Sequence, residues 1–515
     1  MTAVLPDATG RFGPTALGID LGTSSAKAVV IDTDGRLLAQ ASADYALLAR
    51  EHGWAETEPA DWWAAVARCV RAAVGRAGAQ PAAIGLSGQM HGLVLVDQCA
   101  VPIRSALLWA DGRAVDVLAK YRALDSSLRA RLANPLVPRM AGPLLAWVAK
   151  HEPGNYAKAR WALQPKDWLR SQLTARVVAE PSDASATLLY DVIGDRWDFD
   201  LMSALGLAPH LLAPLLEDSA QLAGTLTRIA ADELGLPAGI AVAAGAGDTA
   251  AAALGSGVLH PDDVQLTVGT GAQIVRPLAA PISRASSGVH LYRSAFPAGW
   301  YHMGACTNAG ITLNSARQAV NASWAELYAS LDEPIRGTDP LFIPHLTGER
   351  TPYLNPDLRA SWTGLSLAHD RKTILRSVLE GVAYAISEAL AALVDSELPP
   401  RLRLAGGGTV THGWRQLLST VLGIALYAVD TPAASGRGAA LLGGRVAGLA
   451  SNDDLTGRLA PKIDLVAEPQ AEVRTITEDR RERFHELVCR LGSTPGHGPA
   501  QPDPAPTVQL GGTPA

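Results

Sequence analysis

LGIDLGTSSAKAVVI, residues 17–31, decides how this chain is read. An apolar run from Leu17 to Leu21 carries a single acid, Asp20, stops at Gly22-Thr23-Ser24-Ser25, and resumes from Ala28 to Ile31. Two apolar runs separated by a polar, glycine-led tip read as a hairpin. An aspartate at the end of a buried strand is costly unless something cationic meets it, and the glycine beside it lets a ligand approach the backbone. The stretch is therefore expected to be a phosphate loop: backbone amides of Gly22, Thr23 and Ser24 on the phosphates of a nucleotide, with Asp20 facing its magnesium. The plain alternative is an ordinary hairpin whose Gly-Thr-Ser turn only reverses the chain.

A second copy favours the phosphate loop. Residues 264–275, VQLTVGTGAQIV, repeat the arrangement, with Gly269-Thr270-Gly271 between two apolar runs. Two such units in one chain point to two similar halves, each offering a phosphate loop to one cleft.

At 515 residues the chain exceeds what one core supports, so two domains plus additions are expected. Hydrophobic residues at 48% with charged residues at 18% describe a buried globular protein and exclude a disordered one. The net charge of −6 argues against nucleic acid or an anionic membrane as partner, since both need a basic face. Cys69, Cys99, Cys306 and Cys489 are widely spaced and form no Cys-x-x-Cys pair, which suits a reducing cytoplasm and neither a zinc site nor a disulfide framework. Residues 1–15 lack the basic start and apolar stretch of a signal peptide. The most membrane-like segment, 238–259, has Asp248 at its centre and reads as buried strand, turn and tightly packed helix.

Farther along, Asp61 to Val74 has a helical pattern. A strand from Ala83 to Leu86 delivers Ser87-Gly88-Gln89-Met90-His91-Gly92 at its end, where sites are usually built, and a strand follows from Leu93 to Val96. Leu107 to Arg113 repeats the plan with Trp109, Asp111 and Arg113. Residues 114–200 read as mixed helix and loop. A boundary near 245–260 separates the halves. Phe342 to Pro352, punctuated by Pro344, Gly348 and Pro352, reads as loop. Asp370 caps a long helix toward Leu398, a strand spans Leu402 to Ala405, and helices follow from about Gly413 to Leu422 and from Glu478 to Leu491.

Asp248 is the sharpest candidate for chemistry. It is the only charged residue between Ala238 and Leu259, nothing in packing requires an acid there, and small neighbours admit a substrate. Partial burial would keep it available as a general base near neutral pH. The alternative, compatible role is a cap on a helix starting at Thr249. The Gln89–Gly92 turn suits a neutral, hydroxyl-rich ligand, with Trp109 as an apolar wall and Asp111 or Arg113 nearby. Gly406-Gly407-Gly408 would pass under a flat base. No Gly-x-x-x-x-Gly-Lys-Ser/Thr run and no dinucleotide-type glycine loop is present, so the nucleotide site belongs to another architecture.

Ten stretches in order (18–27, 85–92, 107–113, 165–170, 244–257, 267–273, 347–352, 379–386, 405–418 and 438–444) resemble the FGGY carbohydrate kinases, most closely the members that phosphorylate xylulose. The resemblance implies an α/β fold of two actin-like (ribonuclease H-like) domains, 15–250 and 251–492, around a central ATP and sugar cleft; residues 1–14 and the Pro/Gly-rich, almost uncharged residues 493–515 are expected to be disordered tails. It implies ATP and Mg2+, and phosphate transfer to a sugar hydroxyl. Carried over residue by residue, Asp248 matches the catalytic base and Met90-His91 the sugar-contacting pair. Asp20 and Thr23 match the first phosphate and metal loop, Gly269 to Gly271 the second, and Gly406 to Gly408 the adenosine loop. Two departures weaken the choice of sugar: Thr249 stands where asparagine usually follows the base, and Thr373 where a more polar residue is usual. A kinase for another polyol or sugar acid remains open, for which Arg113 is the one obvious cation. A non-catalytic ATP and sugar sensor also remains, against which the retained Asp248 speaks. The expected partners are sugar and ATP, with oligomeric state open, a homodimer included.

Overall fold

A computed structural model describes residues 13–295, 299–394, 397–409 and 411–492. Both anticipated hairpins form. In the first, β1 (Thr15–Leu21) pairs antiparallel with β2 (Ser25–Ile31), and β3 (Leu37–Asp44) continues the meander. Helix α1 (Pro59–Ala77), opened by a proline and closed by Gly78 in the left-handed region, carries the chain back so that β4 (Pro81–Gly88) runs parallel to β1. After α2 (Pro165–Thr174), strands β5 (Leu222–Thr225), β6 (Ala241–Ala243) and β7 (Ala246–Gly247) complete the sheet in the order β5-β6-β4-β1-β2-β3, with β7 also on β4. Helix α3 (Asp248–Gly255) follows directly.

The second sheet repeats the first in topology. Strand β8 (Val264–Val268) pairs antiparallel with β9 (Ala272–Leu278), and β10 (His290–Arg293) and β11 (Trp300–Cys306) extend the meander. Helices α4 (Gly310–Ala319) and α5 (Arg371–Leu393) lead to β12 (Leu402–Ala405), which lies parallel to β8 as β4 does to β1. Then come α6 (His412–Leu422), β13 (Leu426–Val429), α7 (Ala434–Val446), β14 (Ile463–Ala467) and α8 (Arg474–Gly492). The sheet order is β10-β11-β9-β8-β12-β13-β14.

One helix ties the halves together. α7 stands between β13 and β14 of the second sheet in the chain yet lies on the first sheet, against β1, β4 and α3. Gly18 and Gly85 face each other across β1 and β4 and open a slot in that sheet. A Cβ on Gly18 would stand 1.9 Å from the Gly436 carbonyl oxygen, and one on Gly85 1.8 Å from that of Ala439. On the other side, a Cβ on Gly438 would stand 1.9 Å from the Ala251 carbonyl oxygen of α3. Backbones meet directly here, so only glycine fits.

The expected helix from Asp370 forms, with the Asp370 carboxylate accepting from the Thr373 amide, but ends at Leu393, where Val394 turns extended. Residues 342–352 are not wholly loop: Leu341–Ile343 pairs with Ser361–Thr363, because a three-residue apolar run before Pro344 is enough to add a short ladder beside α5. The expected tails lie outside the described residues, Gly13 and Pro14 apart. No helix among the described residues is long and apolar enough to cross a membrane.

Candidate active site

Strand β7 ends at Gly247 and delivers Asp248 as the first residue of α3. The Gly247 amide donates to Ser182 Oγ at 3.0 Å, and Met90 is packed so closely beneath that a Cβ on Gly247 would meet its Cγ at 2.8 Å. Gly247, not Asp248, occupies the cap position, so the acid is not spent on capping. Thr249 Oγ1 donates to Asp248 Oδ1 at 3.2 Å, and Gln273 Nε2, from the second hairpin, donates to Thr249 Oγ1 at 3.3 Å. Ser435 Oγ of α7 donates to the Asp248 carbonyl at 3.3 Å. Burial, and secondly the charge of Asp20, push the Asp248 carboxyl up to about 7 against the hydrogen bonds from Thr249.

Asp20 sits opposite Ser87 across β1 and β4, and Ser87 Oγ donates to its Oδ1 at 2.9 Å. Burial raises its carboxyl too, against that hydrogen bond and the charge of Lys27. Asp20 and Asp248 thus share one site with no cation in ion-pair contact among the described residues. Two hard carboxylates suit Mg2+, which takes one or two protein acids together with phosphate and water rather than a closed cage. No group of three or more metal-ligating side chains occurs among the described residues.

The two glycine loops are built alike, and one expectation about them needs correcting. The Gly22 amide is spent closing its own turn on the Ser25 carbonyl at 3.1 Å, as the Gly269 amide is on Gly271 at 2.8 Å. The donors left for an anion are therefore the amides of Thr23 and Ser24 in the first loop and of Thr270 and Gly271 in the second, for which no partner is found among the described residues. The second loop rests on the start of α4, whose Gly310 and Ile311 amides donate to the carbonyls of Gly269 and Thr270 at 3.0 and 2.9 Å. Beside it, Gly406 at φ +94° lies against the Val268 carbonyl, where a Cβ would come within 2.3 Å. Gly408 is also on Val268, and Gly407 faces open space.

On the sugar side, His91 stands at φ +69°, a left-handed turn that aims it away from the strand. Its Nδ1 lies 2.8 Å from the Ala186 carbonyl and must donate to it, which leaves Nε2 as an acceptor. Burial, opposed by that bond and helped by the charge of Arg350, lowers the imidazole to about 4, so it is neutral at pH 7. Trp109 is 39% exposed and donates from Nε1 to Thr23 Oγ1 at 2.8 Å, placing the indole over the first loop.

Asp111 and Arg113 are brought together and are engaged by the protein itself. Asp111 Oδ2 accepts from the Ala55 amide and from Arg113, each at 2.7 Å, and Arg113 also pairs with Glu56 at 2.8 Å and stacks 3.6 Å over the Trp54 ring. Asp111 is fully buried. The cation expected to serve a sugar acid is thus already neutralised, by Asp111 two residues before it and by Glu56 from a distant part of the chain.

Sequence reasoning left Ser87, Ser182, Gln273 and Ser435 without roles. Ser87 and Gln273 lay inside noted motifs, but their partners depend on strand register and packing. A buried charge cluster behind Met90 also went unassigned. Lys166, packed on Gly88, pairs with Asp167, Glu180 and Asp183 at 2.5, 3.3 and 3.5 Å, and Arg170 pairs with Asp167 at 2.9 Å. Burial raises the Asp183 carboxyl well above its usual range, opposed by the charge of Lys166.

Comparison with known proteins identifies the family. Residues 15–255 match the FGGY family of carbohydrate kinases, N-terminal domain, and residues 264–447 match its C-terminal domain. The xylulose kinase of Escherichia coli K12 is 31% identical over 92% of this chain and 99% of its own. The crystal structure of a xyloylose kinase from Brucella ovis superposes with a TM-score of 0.87 at 32% identity, over 93% of this chain and 99% of that one. A gluconate kinase from Lactobacillus acidophilus superposes equally well, TM-score 0.88, but at 23% identity over 93% and 99%, so it speaks for the fold alone. The repeated sheets are the two actin-like domains anticipated, and the chain belongs to the FGGY family of carbohydrate kinases.

Proposed function

We propose that this kinase transfers the γ-phosphoryl group of ATP to the terminal hydroxyl of D-xylulose, with Asp248 as general base. The observation that carries the reading is the place of Asp248: a buried carboxyl poised near neutrality, tied through Thr249 to the second hairpin and under the charge of Asp20 from the first. A loose, in-line phosphoryl transfer asks mainly for positioning and charge stabilisation. The amides of Thr23, Ser24, Thr270 and Gly271 supply donors for the phosphates, and Gly406 to Gly408 border the place for the base. Asp20 would hold Mg2+, which when bound neutralises phosphate charge. Asp248 orients the attacking hydroxyl and takes its proton. Neutral His91 accepts a hydrogen bond from another sugar hydroxyl, beside Met90, with Trp109 closing the side toward the first loop. Four free cysteines accord with a reducing cytoplasm as the compartment.

D-Xylulose is favoured over a sugar acid because Arg113 is neutralised by Asp111 and Glu56. ADP release measured with D-xylulose, xylitol and D-gluconate tests this. The expected kcat/KM for D-xylulose exceeds that for either alternative by about 100-fold or more, since a pocket built on hydrogen bonds loses unpaired groups with the wrong substrate. Faster turnover of gluconate or xylitol would remove the sugar assignment and leave the kinase.

A second expectation concerns the metal side. Asp20→Ala raises the KM for ATP and the Mg2+ concentration needed for half activity by about tenfold or more, while calorimetric binding of D-xylulose survives. Equal loss of sugar binding and a lowered Tm would make Asp20 a structural residue.

A further inference from the structure

We propose that Arg350, His290 and Tyr292, all from the second half of the chain, form a relay of positioning residues that fixes the ring of His91 as a hydrogen-bond acceptor for the sugar. This rests on the reading that His91 contacts the substrate.

The direction of the relay follows from which atoms carry hydrogens. A guanidinium can only donate, so the 2.9 Å contact between Arg350 Nη2 and His290 Nε2 makes that ring nitrogen the acceptor. The hydrogen of neutral His290 is then on Nδ1, 2.8 Å from the Tyr292 hydroxyl oxygen, and donates to it. The two rings stack with centroids 5.4 Å apart, and both residues are fully buried. Tyr292 in turn lies against His91, ring centroids 5.8 Å apart. His91 is thereby held between the Ala186 carbonyl of its own half and Tyr292 of the other.

The neighbouring strand reinforces the brace. Tyr301 is the register partner of Tyr292 across β10 and β11, and its hydroxyl lies 3.9 Å from Met90 Sδ. The Met90-His91 pair is thus backed by a tyrosine pair from the second sheet. Arg350 is also the charge that His91 feels most directly. It has no carboxylate in ion-pair contact among the described residues, because the adjacent Glu349 is turned to the Thr307 amide at 2.6 Å and to His345 at 3.2 Å. The other titratable groups near the relay are His290, kept neutral by burial and by Arg350, Tyr292 and Tyr301, whose hydroxyls burial keeps protonated, and Arg139, whose charge also acts on Arg350. Removing the Arg350 charge lets His91 take a proton more easily as pH falls. A doubly protonated imidazole donates from both nitrogens and loses the acceptor at Nε2.

The test uses the full chain with Arg350→Met, Arg350→Lys, Tyr292→Phe and His91→Asn, measuring KM for D-xylulose and for ATP between pH 5 and 8, with Tm as a check on folding. In Arg350→Met the KM for D-xylulose is expected to rise about twofold or more at pH 5 and clearly less at pH 8, while the KM for ATP stays near wild type. Arg350→Lys restores the wild-type pH profile. Tyr292→Phe, nearly isosteric, raises the sugar KM about threefold or more at every pH, again without moving the ATP value. A sugar KM unchanged in both Arg350→Met and Tyr292→Phe overturns the relay, as does a parallel rise in both KM values with a lowered Tm. The result for His91→Asn separates the levels: a large rise in sugar KM there, with none in the relay variants, sinks the relay and keeps the sugar site, whereas no rise sinks both.

Discussion

Asp248→Asn is expected to lower sugar-dependent turnover by about 100-fold or more while ATP and D-xylulose still bind. Asparagine keeps the size and the contact with Thr249 Oγ1 but cannot take a proton. The same residue sets the pH dependence. A base works only when deprotonated, and burial together with Asp20 has pushed this carboxyl up to about 7. Below that pH, kcat/KM falls about tenfold per unit as Asp248 gains its proton, and above it the profile is flat. In Asp248→Asn the residual activity loses this acid limb. Initial rates of ADP release between pH 5 and 9 measure both effects. A variant with near wild-type turnover, or one that keeps the limb near pH 7, removes Asp248 from proton transfer.

The second large effect is on stability, at the contact between α7 and the first sheet. Gly85→Ala would place a methyl carbon 1.8 Å from the Ala439 carbonyl oxygen, and Gly438→Ala one 1.9 Å from that of Ala251. Backbone cannot yield as a side chain does, so each substitution should cost about 3 kcal/mol, well above the ~1 kcal/mol that alanine gains over glycine inside a helix. Gly444→Ala in the same helix is the control. Its Cβ would meet Ala16 Cβ at 3.9 Å, an ordinary contact, so the propensity gain prevails and stability holds or rises slightly. Urea midpoints for the three variants provide the measurement. Gly438→Ala should also lose activity in its folded fraction, because α7 carries Ser435, which holds the Asp248 carbonyl. Equal midpoints for Gly85→Ala and Gly444→Ala would show that the helix has room to move.

Much of this molecule is legible from local sequence alone. Alternating apolar runs broken by Gly-Thr tips define both hairpins, because side-chain periodicity and turn chemistry act over a few residues. The doubled hairpin announces the doubled sheet, and an acid alone in an Ala/Gly segment marks Asp248. Even Asp370 declares its capping role, since donor and acceptor lie three residues apart. Tertiary structure alone decided which polar groups are free and which are spent. Asp20 meets Ser87 across 67 residues because β4 returns parallel to β1 in one register, and a slip by one would turn Ser87 to the other face. Asp111 and Arg113 read as ligand groups until Glu56 and the Ala55 amide, folded in from before α1, consume them. Glycines at 18, 85 and 438 read as ordinary until α7 lies across the first sheet and brings backbones into contact. Local pattern sets which surfaces are apolar, but the partner of a buried polar group is fixed only when distant segments close around it and shut out water, and the roles of Arg350, His290 and Tyr292 come into being at that step.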